Sequence, residues 1–198
     1  VGMPAWRIEL GDGHALRLRG RIDRVDLCRL DDDTALAVVM DYKSRVRKLD
    51  PTKLYHGLEL QLLSYLGVLK HLPTPEKLFG VKRLVPTGVF YIPLNGGAGQ
   101  SSSDRVQVQT SSQDDRREAY QHSGRFLADE LAHFDRRGES KGDQFKYAKN
   151  KGGVFAKRGN EALPATEFET LQEKIEGHLR DYGRRIFGGE VSAAPFRI

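Results

Sequence analysis

Two apolar patterns separated by a short acidic turn constrain the fold of this chain most strongly. From Leu16 to Ile22, apolar residues alternate with arginines, which is the period-two pattern of a half-buried strand. Residues 30–34 (LDDDT) are typical of a turn, and residues 35–44 (ALAVVMDYKS) have the composition of a more buried strand. The sequence therefore predicts a β-hairpin, with the turn formed by a three-residue loop at Asp31–Asp33.

This hairpin would bring two carboxylates and an ammonium group together. With a three-residue loop, Asp23 lies opposite Asp41 and Arg21 lies opposite Lys43. Opposed carboxylates repel unless a cation offsets them, and Mg²⁺ prefers oxygen ligands of this kind. Lys43 could then stabilise negative charge on a phosphate or help to orient an attacking water. The pattern indicates metal-dependent phosphodiester hydrolysis; the alternative is a surface hairpin with Asp23 paired to a neighbouring arginine and Lys43 solvated.

A leucine-rich segment after the hairpin predicts a helix at 57–72, ended by Pro73 and Pro75. Gln61 and Tyr65 share one face of this helix because they lie four residues apart. A buried amide and phenol need polar partners. A catalytic centre or a nucleic-acid backbone would supply them; alternatively, the two residues form an ordinary pair at the edge of the core.

The middle of the chain is less regular. Residues 77–94 predict two short strands around a turn at Pro86–Gly88, and a flexible loop is expected at about 95–113. A polar amphipathic helix is expected at about 114–135, and a basic loop at about 136–160.

The end of the chain predicts a last helix from Thr166 to about Phe187. Thr166 is the expected N-cap, Glu169 completes a capping box, and Gly188 and Gly189 close the helix. No convincing linker divides the sequence, so we expect one domain over residues 1–198.

Composition limits the class of protein. A chain of 198 residues with 38% hydrophobic content can bury a core, and its net charge of +5 permits an anionic partner. Cys28 is the single cysteine, which excludes an internal disulfide and a cysteine-only metal centre within this chain. A reducing, cytoplasmic setting is expected. No apolar run approaches the roughly 18 residues of a membrane span, so we expect no membrane association.

Three motifs together resemble a known family. GRIDRVD at 20–26, DYKS at 41–44 and GLELQLLSYL at 57–66 match in order and spacing the GxxDRxD, D/E-x-K and QxxxY motifs of RecB- and AddB-type nuclease domains in the PD-(D/E)XK superfamily. Residues 86–94 and 168–198 look like a later strand and the final helix and tail of AddB-like proteins. The resemblance implies an α/β, restriction-endonuclease-like core, with a central mixed β-sheet flanked by helices and a helical C-terminal addition.

The resemblance also implies roles for individual residues. The implied catalytic residues are Asp23, Asp41, Lys43, Gln61 and Tyr65. Asp23 and Asp41 look like ligands of Mg²⁺ or Mn²⁺, together with the main-chain carbonyl of Tyr42. Lys43 looks like the catalytic lysine, while the QxxxY pair supports the active site and the DNA in the family.

Basic residues that directly follow the D-x-K motif are candidates for DNA binding. They are Arg45, Arg47, Lys48 and Lys53. A second basic run at 141–158, with aromatic residues interleaved, could hold single strands through charge and stacking, although a solvated lysine-rich loop fits it equally well.

The resemblance implies an Mg²⁺-dependent, exonuclease-type DNA nuclease module of a bacterial helicase–nuclease that acts in double-strand-break repair and recombination. Its partners would be DNA and a partner subunit of the helicase–nuclease, in a cytoplasmic, nucleoid-associated setting. The family usually has an upstream helix with a Glu or His ligand and a downstream cysteine group for a 4Fe–4S cluster. Because this sequence shows neither, we expect a fragment, with the cluster only in a longer parent chain. The alternative is a catalytically incomplete DNA-binding or scaffolding domain of the same fold; a hydrolase of another substrate is disfavoured by the basic charge.

Overall fold

The computed structural model describes residues 3–95, 119–156 and 159–192. Its strands are β1 Trp6–Gly11, β2 His14–Leu18, β3 Arg24–Arg29, β4 Thr34–Lys43, β5 Arg83–Pro93, β6 Ser123–Leu127 and β7 Ala162–Leu163. The last five form a mixed sheet in the order β3-β4-β5-β6-β7, in which β4–β5 and β6–β7 are parallel. β1 and β2 form a separate antiparallel hairpin.

Helices cover this sheet and connect its strands. In the described residues the α-helices are α1 Pro51–Tyr55, α2 Gln61–Lys70, α3 Pro75–Phe79, α4 Leu131–Phe134 and α5 Ala165–Phe187. α1, α2 and α3 form the crossover that the parallel pairing of β4 with β5 requires. Within these parts of the chain, no helix is long and apolar enough to span a membrane. The predicted α/β class, with a central mixed sheet and a C-terminal helix, is confirmed.

The β3–β4 hairpin has the predicted register. Its pairs run from Arg24 opposite Met40 to Arg29 opposite Ala35, as expected for a three-residue loop. Asp31 closes the loop because its Oδ1 accepts hydrogen bonds from the amides of Asp33 (2.8 Å) and Thr34 (2.6 Å). The carboxylate of Asp31 therefore stabilises the acidic turn, because it supplies a hydrogen-bond acceptor for two backbone amides of the loop.

The prediction of one strand from Leu16 to Ile22 that continues into this hairpin was wrong. β2 ends at Leu18 and pairs with β1, while β3 begins only at Arg24. Leu18 and Ile22 both pack against the main core, although the strand is interrupted between them. The alternating apolar residues are therefore buried without forming one continuous strand.

The prediction of two short strands at 77–94 was also wrong. α3 occupies the first part, and β5 then runs without a turn through Pro86–Gly88. A bulge between the pairs Ala37–Pro86 and Val38–Gly88 accommodates the proline, which cannot donate a ladder hydrogen bond. The hydroxyl of Thr87 at the bulge donates to the carbonyl of Ala37 (3.3 Å).

The expected helix at 114–135 is replaced in its described part by a strand, β6, and the short helices that follow it. β6 approaches β5 so closely that a Cβ at Gly124 would lie 1.8 Å from the carbonyl oxygen of Val89. Pairing with β5 therefore overrides the helical pattern of the sequence. The expected loop at 95–113 lies outside the described residues except for Asn95.

The last helix is confirmed, but its predicted cap was wrong. α5 begins at Ala165 with Pro164 at the N-cap position, and no side chain caps it. Thr166 lies inside the first turn, so that its carbonyl accepts a hydrogen bond from the Thr170 hydroxyl (2.8 Å). The fixed φ of Pro164 favours a helix start there without a capping hydroxyl.

Two apolar cores lie on opposite faces of the sheet. Val39 of β4 and Val89 of β5 face α2 and α5, whereas Val38 and Phe90 face the second core. That second core also contains Phe126, Leu131, Phe145 and Tyr147. The alternation along β4 and β5 therefore fixes which side chains can meet the residues of α2.

Gly67 of α2 permits the close approach of β1. A Cβ at this position would lie 2.3 Å from the ring of Trp6. We expect Gly67→Ala to lower the free energy of unfolding by about 1–3 kcal/mol, because overpacking outweighs the better helix propensity of alanine. Urea titration measures the change.

Gly177 of α5 is the matched control, because a Cβ there meets nothing within 4 Å. Gly177→Ala should raise the free energy of unfolding by about 0.5–1 kcal/mol through helix propensity alone. Equal effects of the two substitutions would contradict the packing of Trp6 against Gly67.

Candidate active site

The C-terminal end of β4 carries the first charged group of the site. Asp41 is 5% exposed, and its Oδ2 lies 2.5 Å from Nζ of Lys43. Oδ2 is buried and makes no hydrogen bond among the described residues, so its charge is offset by the ion pair with Lys43. Both side chains lie on the face of the sheet that α2 covers, since they are two residues apart in a strand. Oδ2 of Asp41 is therefore already paired with the ammonium of Lys43, and a further ligand of this carboxylate would share it with Lys43.

Asp23 lies at the same end of the sheet, but it precedes β3. Its Oδ2 accepts a hydrogen bond from the amide of Tyr42 (3.1 Å), and its side chain is exposed. The ladder between β3 and β4 begins only at Arg24, so the expected pairing of Arg21 with Lys43 does not form. The side-chain hydrogen bond of Asp23 replaces the expected backbone pairing and joins Asp23 to the D-Y-K motif.

The remaining DRxD residues lie on the other face of the hairpin. Arg24 donates two hydrogen bonds to Asp26 (2.6 and 2.7 Å) and one to the hydroxyl of Tyr42 (3.2 Å). The hydrogen bonds with Asp26, followed by that with Tyr42, raise the pKa of the Arg24 guanidinium above its ordinary value. Arg24 and Asp26 thus brace the hairpin, and the Tyr42 side chain points away from Asp41 and Lys43.

Gln61 and Tyr65 meet on α2 as the sequence predicts. Nε2 of Gln61 donates to the hydroxyl of Tyr65 (2.9 Å). A cavity of about 460 Å³ opens between α2 and the segment before β3, and Gly20, Ile22, Gln61 and Tyr65 contribute to its wall. The pair therefore borders an opening next to the end of the sheet, with Gln61 exposed and Tyr65 half-buried.

Tyr91 forms a buried aromatic surface under two cations. It is 2% exposed and lies beside Asp41 in the parallel register of β4 and β5. Nζ of Lys43 lies 5.5 Å and Cζ of Arg47 5.4 Å from the centre of its ring, distances typical of cation–π contacts. Burial raises the pKa of the Tyr91 phenol, Arg47 opposes this, and the negative charges of Glu59 and Asp41 add to it.

Glu59 belongs to this site and was missed by the sequence analysis. Its Oε1 lies 3.4 Å from both Nη2 of Arg47 and Nζ of Lys53, and the side chain is 11% exposed. In the sequence, Glu59 could have been noticed as an acidic residue inside the apolar run GLELQLL, two residues before α2. Of the predicted DNA-binding residues, Arg47 and Lys53 thus converge on Glu59, and Arg45, Arg47 and Lys48 are exposed.

The second basic run has fewer exposed aromatic faces than its sequence suggests. Phe145 is 6% and Tyr147 2% exposed, because both belong to the second core. The hydroxyl of Tyr147 donates to Asp135 (2.9 Å), and burial followed by this hydrogen bond raises its pKa to about 12. These two rings therefore have a structural role, and only Phe155 remains half-buried, with Lys149 Nζ 5.1 Å from its ring centre. The end of the run, at 157–158, lies outside the described residues.

The metal-binding capacity of the site depends on few protein ligands. In the described ranges, no group of three or more His, Cys, Asp or Glu side chains could hold a metal ion. The D-Y-K end of the sheet instead offers the carboxylates of Asp23 and Asp41, with Asp41 Oδ2 buried and without a hydrogen bond. These are hard oxygen donors, and Mg²⁺ commonly takes one or two carboxylates and completes its shell with water and phosphate.

The model of the PD-(D/E)XK nuclease superfamily matches residues 2–197, and the chain belongs to this superfamily. The predicted enzyme class, a nuclease, and the restriction-endonuclease-like α/β fold are thereby confirmed. Nucleases of this superfamily generally use divalent metal ions.

Curated relatives from several bacteria are named as one of the subunits of an ATP-dependent helicase/deoxyribonuclease. The protein of Geobacillus kaustophilus is 32% identical over 203 residues, which cover 99% of this chain and 17% of the relative. The protein of Oceanobacillus iheyensis is also 32% identical over 203 residues, which cover 98% of this chain and 16% of the relative. The chain thus spans about one sixth of the length of these relatives.

The Tyr91 ring should be needed for the stability of this site, whereas its hydroxyl should not. Tyr91→Phe keeps the ring under both cations and should change the free energy of unfolding by less than about 1 kcal/mol. Tyr91→Leu removes the cation–π contacts and leaves unfilled space, so we expect a loss of about 2–3 kcal/mol. Denaturant unfolding compares the two variants, and equal losses would contradict the role of the ring.

Proposed function

We propose that this chain is an Mg²⁺-dependent deoxyribonuclease module that hydrolyses DNA phosphodiester bonds. The observation that carries the proposal is the Asp41–Lys43 pair at the end of β4, with Asp23 bound to the intervening Tyr42 amide. Superfamily membership supports the nuclease activity, and the names of the relatives support DNA as the substrate.

The donor atoms at this end of the sheet fit a hard divalent cation. Asp23, Asp41 and the main-chain carbonyl of Tyr42 would hold Mg²⁺ or Mn²⁺, and the buried Oδ2 of Asp41, which pairs with Lys43 but makes no hydrogen bond among the described residues, supports this assignment. When bound, the cation supplies Lewis-acid stabilisation of the phosphate charge that develops during hydrolysis. The ammonium of Lys43 offsets part of the cost of burying this carboxylate, and a divalent cation would offset it further.

Lys43 is the chain's own electrostatic group at the reaction centre. Its ammonium is fixed between the carboxylate of Asp41 and the ring of Tyr91, so little rearrangement is needed when a phosphate arrives. From this position Lys43 would stabilise the negative charge of the pentavalent transition state and orient the attacking water. Gln61 and Tyr65, which border the adjacent cavity, would support the substrate and the active site.

The DNA backbone would be held by the basic segment after β4. Arg45, Arg47, Lys48 and Lys53 follow Lys43 closely in sequence, and Arg47 reaches the same aromatic ring as Lys43. Contacts from such residues to phosphates are independent of base sequence. We therefore expect binding without a strong sequence preference.

The wider setting of the activity follows the relatives. We propose an exonuclease-type module of a helicase–nuclease with a partner subunit, acting in double-strand-break repair and recombination in the bacterial cytoplasm, at the nucleoid. Residues 1–198 would form a single domain. A 4Fe–4S cluster would belong only to a longer parent chain, because Cys28 is the single cysteine in this sequence.

Removal of either motif charge should abolish DNA cleavage. Asp41→Ala and Lys43→Ala should each lower the rate of Mg²⁺-dependent cleavage by at least about 10²–10³-fold, because each removes a group that acts on the transition-state charge. Release of nucleotides from labelled linear DNA measures the rate.

Asp129→Ala and Lys77→Ala are matched controls, since both side chains are exposed and lie outside the site. They should cleave at the rate of the unsubstituted chain. Undiminished cleavage by Asp41→Ala and Lys43→Ala would refute the proposed site, and cleavage lost equally in the controls would point to a general effect of charge.

Metal binding should stabilise the unsubstituted chain without DNA. Ligand at about 100 times its dissociation constant adds roughly 2.7 kcal/mol to the free energy of unfolding. We therefore expect Mn²⁺ to raise the melting temperature of the unsubstituted chain and of Lys77→Ala, but not that of Asp41→Ala. An equal increase in all three would place the metal elsewhere and would favour a catalytically incomplete scaffold.

A further inference from the structure

Two pairs of carboxylate and cation share the ring of Tyr91. The first is Asp41 with Lys43, which belongs to the D-Y-K motif. The second is Glu59 with Arg47. Neither of these two residues is one of the positions that define the three motifs. Lys43 Nζ and Arg47 Cζ are at nearly the same distance from the ring centre, 5.5 and 5.4 Å. Both cations therefore lie over the ring of the residue that neighbours Asp41 in the β4–β5 register.

Glu59 is more buried than the cations that it binds. Its side chain is 11% exposed, compared with 46% for Arg47 and 37% for Lys53. Its Oε2 is buried without a hydrogen bond, while Oε1 lies within 3.4 Å of both cations. A carboxylate this enclosed has little conformational freedom, so it can fix the mobile side chain of Arg47 in one direction.

The C-terminal helix holds the turn that carries Glu59. Nε2 of His178 lies 3.0 Å from the carbonyl oxygen of Tyr55, and the hydroxyl of Tyr182 donates to the carbonyl of Gly57 (3.2 Å). Gly57 has φ = +75°, and a Cβ there would lie 2.3 Å from the Tyr182 hydroxyl. The position of Glu59 is thus set by contacts between α5 and the α1–α2 turn.

An Arg47 side chain that is not bound by Glu59 would compete with a metal ion for the carboxylate of Asp41. Asp41 is the neighbour of Tyr91 in the β4–β5 register, and Arg47 lies over the Tyr91 ring, so Asp41 is an alternative carboxylate near an Arg47 that has lost Glu59. An arginine that forms a two-pronged pair with Asp41 would occupy the oxygens that a cation requires. Lys53 is also bound by Glu59, but only Arg47 of these two contacts the Tyr91 ring.

We propose that Glu59 is a positioning residue of the nuclease site, which holds Arg47 away from Asp41 and keeps Asp41 available to the divalent cation. The inference rests on the proposed function, because it assigns Asp41 as a metal ligand. Glu59 itself does not bind the cation; it acts through Arg47. The pair also keeps the guanidinium over the ring of Tyr91, which Lys43 contacts as well, and a neighbouring DNA phosphate can replace Glu59 as its partner there.

A double-mutant cycle with Mn²⁺ and no DNA tests this role. The dissociation constant of Mn²⁺ is measured by electron paramagnetic resonance on the unsubstituted 198-residue chain and on Glu59→Gln, Arg47→Ala and the double variant. Glu59→Gln should weaken Mn²⁺ binding by about tenfold, as is typical for the loss of a residue that orients a metal ligand. Arg47→Ala should bind at least as tightly as the unsubstituted chain, and the double variant should return to within about threefold of it.

Two further variants separate positioning from simple charge. Glu59→Asp keeps the negative charge but shortens the reach to Arg47, so it should also weaken Mn²⁺ binding and should be rescued by Arg47→Ala. It serves as the test if Glu59→Gln does not fold, which circular dichroism decides. Glu173→Gln removes an exposed carboxylate from α5 and should bind Mn²⁺ as the unsubstituted chain does.

The outcomes distinguish this inference from the proposed function. A double variant that binds Mn²⁺ as weakly as Glu59→Gln would show that Glu59 acts directly on the cation, and unchanged binding by Glu59→Gln would show that it has no role there; either result overturns the inference. If Asp41→Ala binds Mn²⁺ as tightly as the unsubstituted chain, the proposed metal site itself is wrong, and the inference fails with it.

Discussion

The parallel pairing of β4 with β5 determines how the chain is routed and where the site forms. Parallel neighbours cannot be joined by a tight turn, so the chain must cross over the sheet through α1, α2 and α3. The crossover lays leucines of α2 on the face that carries Val39 and Val89. It also delivers the polar start of α2 to the ends of the same strands, where Asp41 and Tyr91 are neighbours. Core formation and assembly of the site are therefore consequences of one strand pairing.

Charge at this end of the sheet is retained at a cost in stability. Asp41 and Glu59 each bury a carboxylate oxygen that makes no hydrogen bond among the described residues. Buried ion pairs seldom exceed well-packed apolar groups in stabilising a fold. Cations placed over the ring of Tyr91 recover part of this cost, because the face of the ring is negative. The arrangement would serve the proposed binding of a cation and a phosphate rather than stability.

The C-terminal helix connects distant parts of the chain to the site. Along its length α5 contacts the α1–α2 turn through His178 and Tyr182, and it reaches the β1–β2 hairpin through Arg184, whose Nε donates to the carbonyl of Leu10 (2.8 Å). Gly183 allows this approach, since a Cβ there would lie 2.7 Å from the Leu10 side chain. α5 thus fixes both the β1–β2 hairpin, which precedes β3, and the α1–α2 turn. It contributes to the position of Asp23 and Gln61 in this indirect way, since neither residue lies in α5.

Local patterns in the sequence were enough to predict one strand pairing and the superfamily. The alternation of β3 and β4 and the acidic loop predicted their register, and three motifs in order predicted the superfamily. The remaining features depend on contacts between segments that are distant in the chain. β6 replaced a predicted helix because Gly124 fits against the backbone of β5, and the bulge at Thr87 let one strand pass a predicted turn. Glu59 joined the site only because the crossover and α5 bring its turn to Arg47, which is a relation between segments distant in the chain that no local pattern encodes.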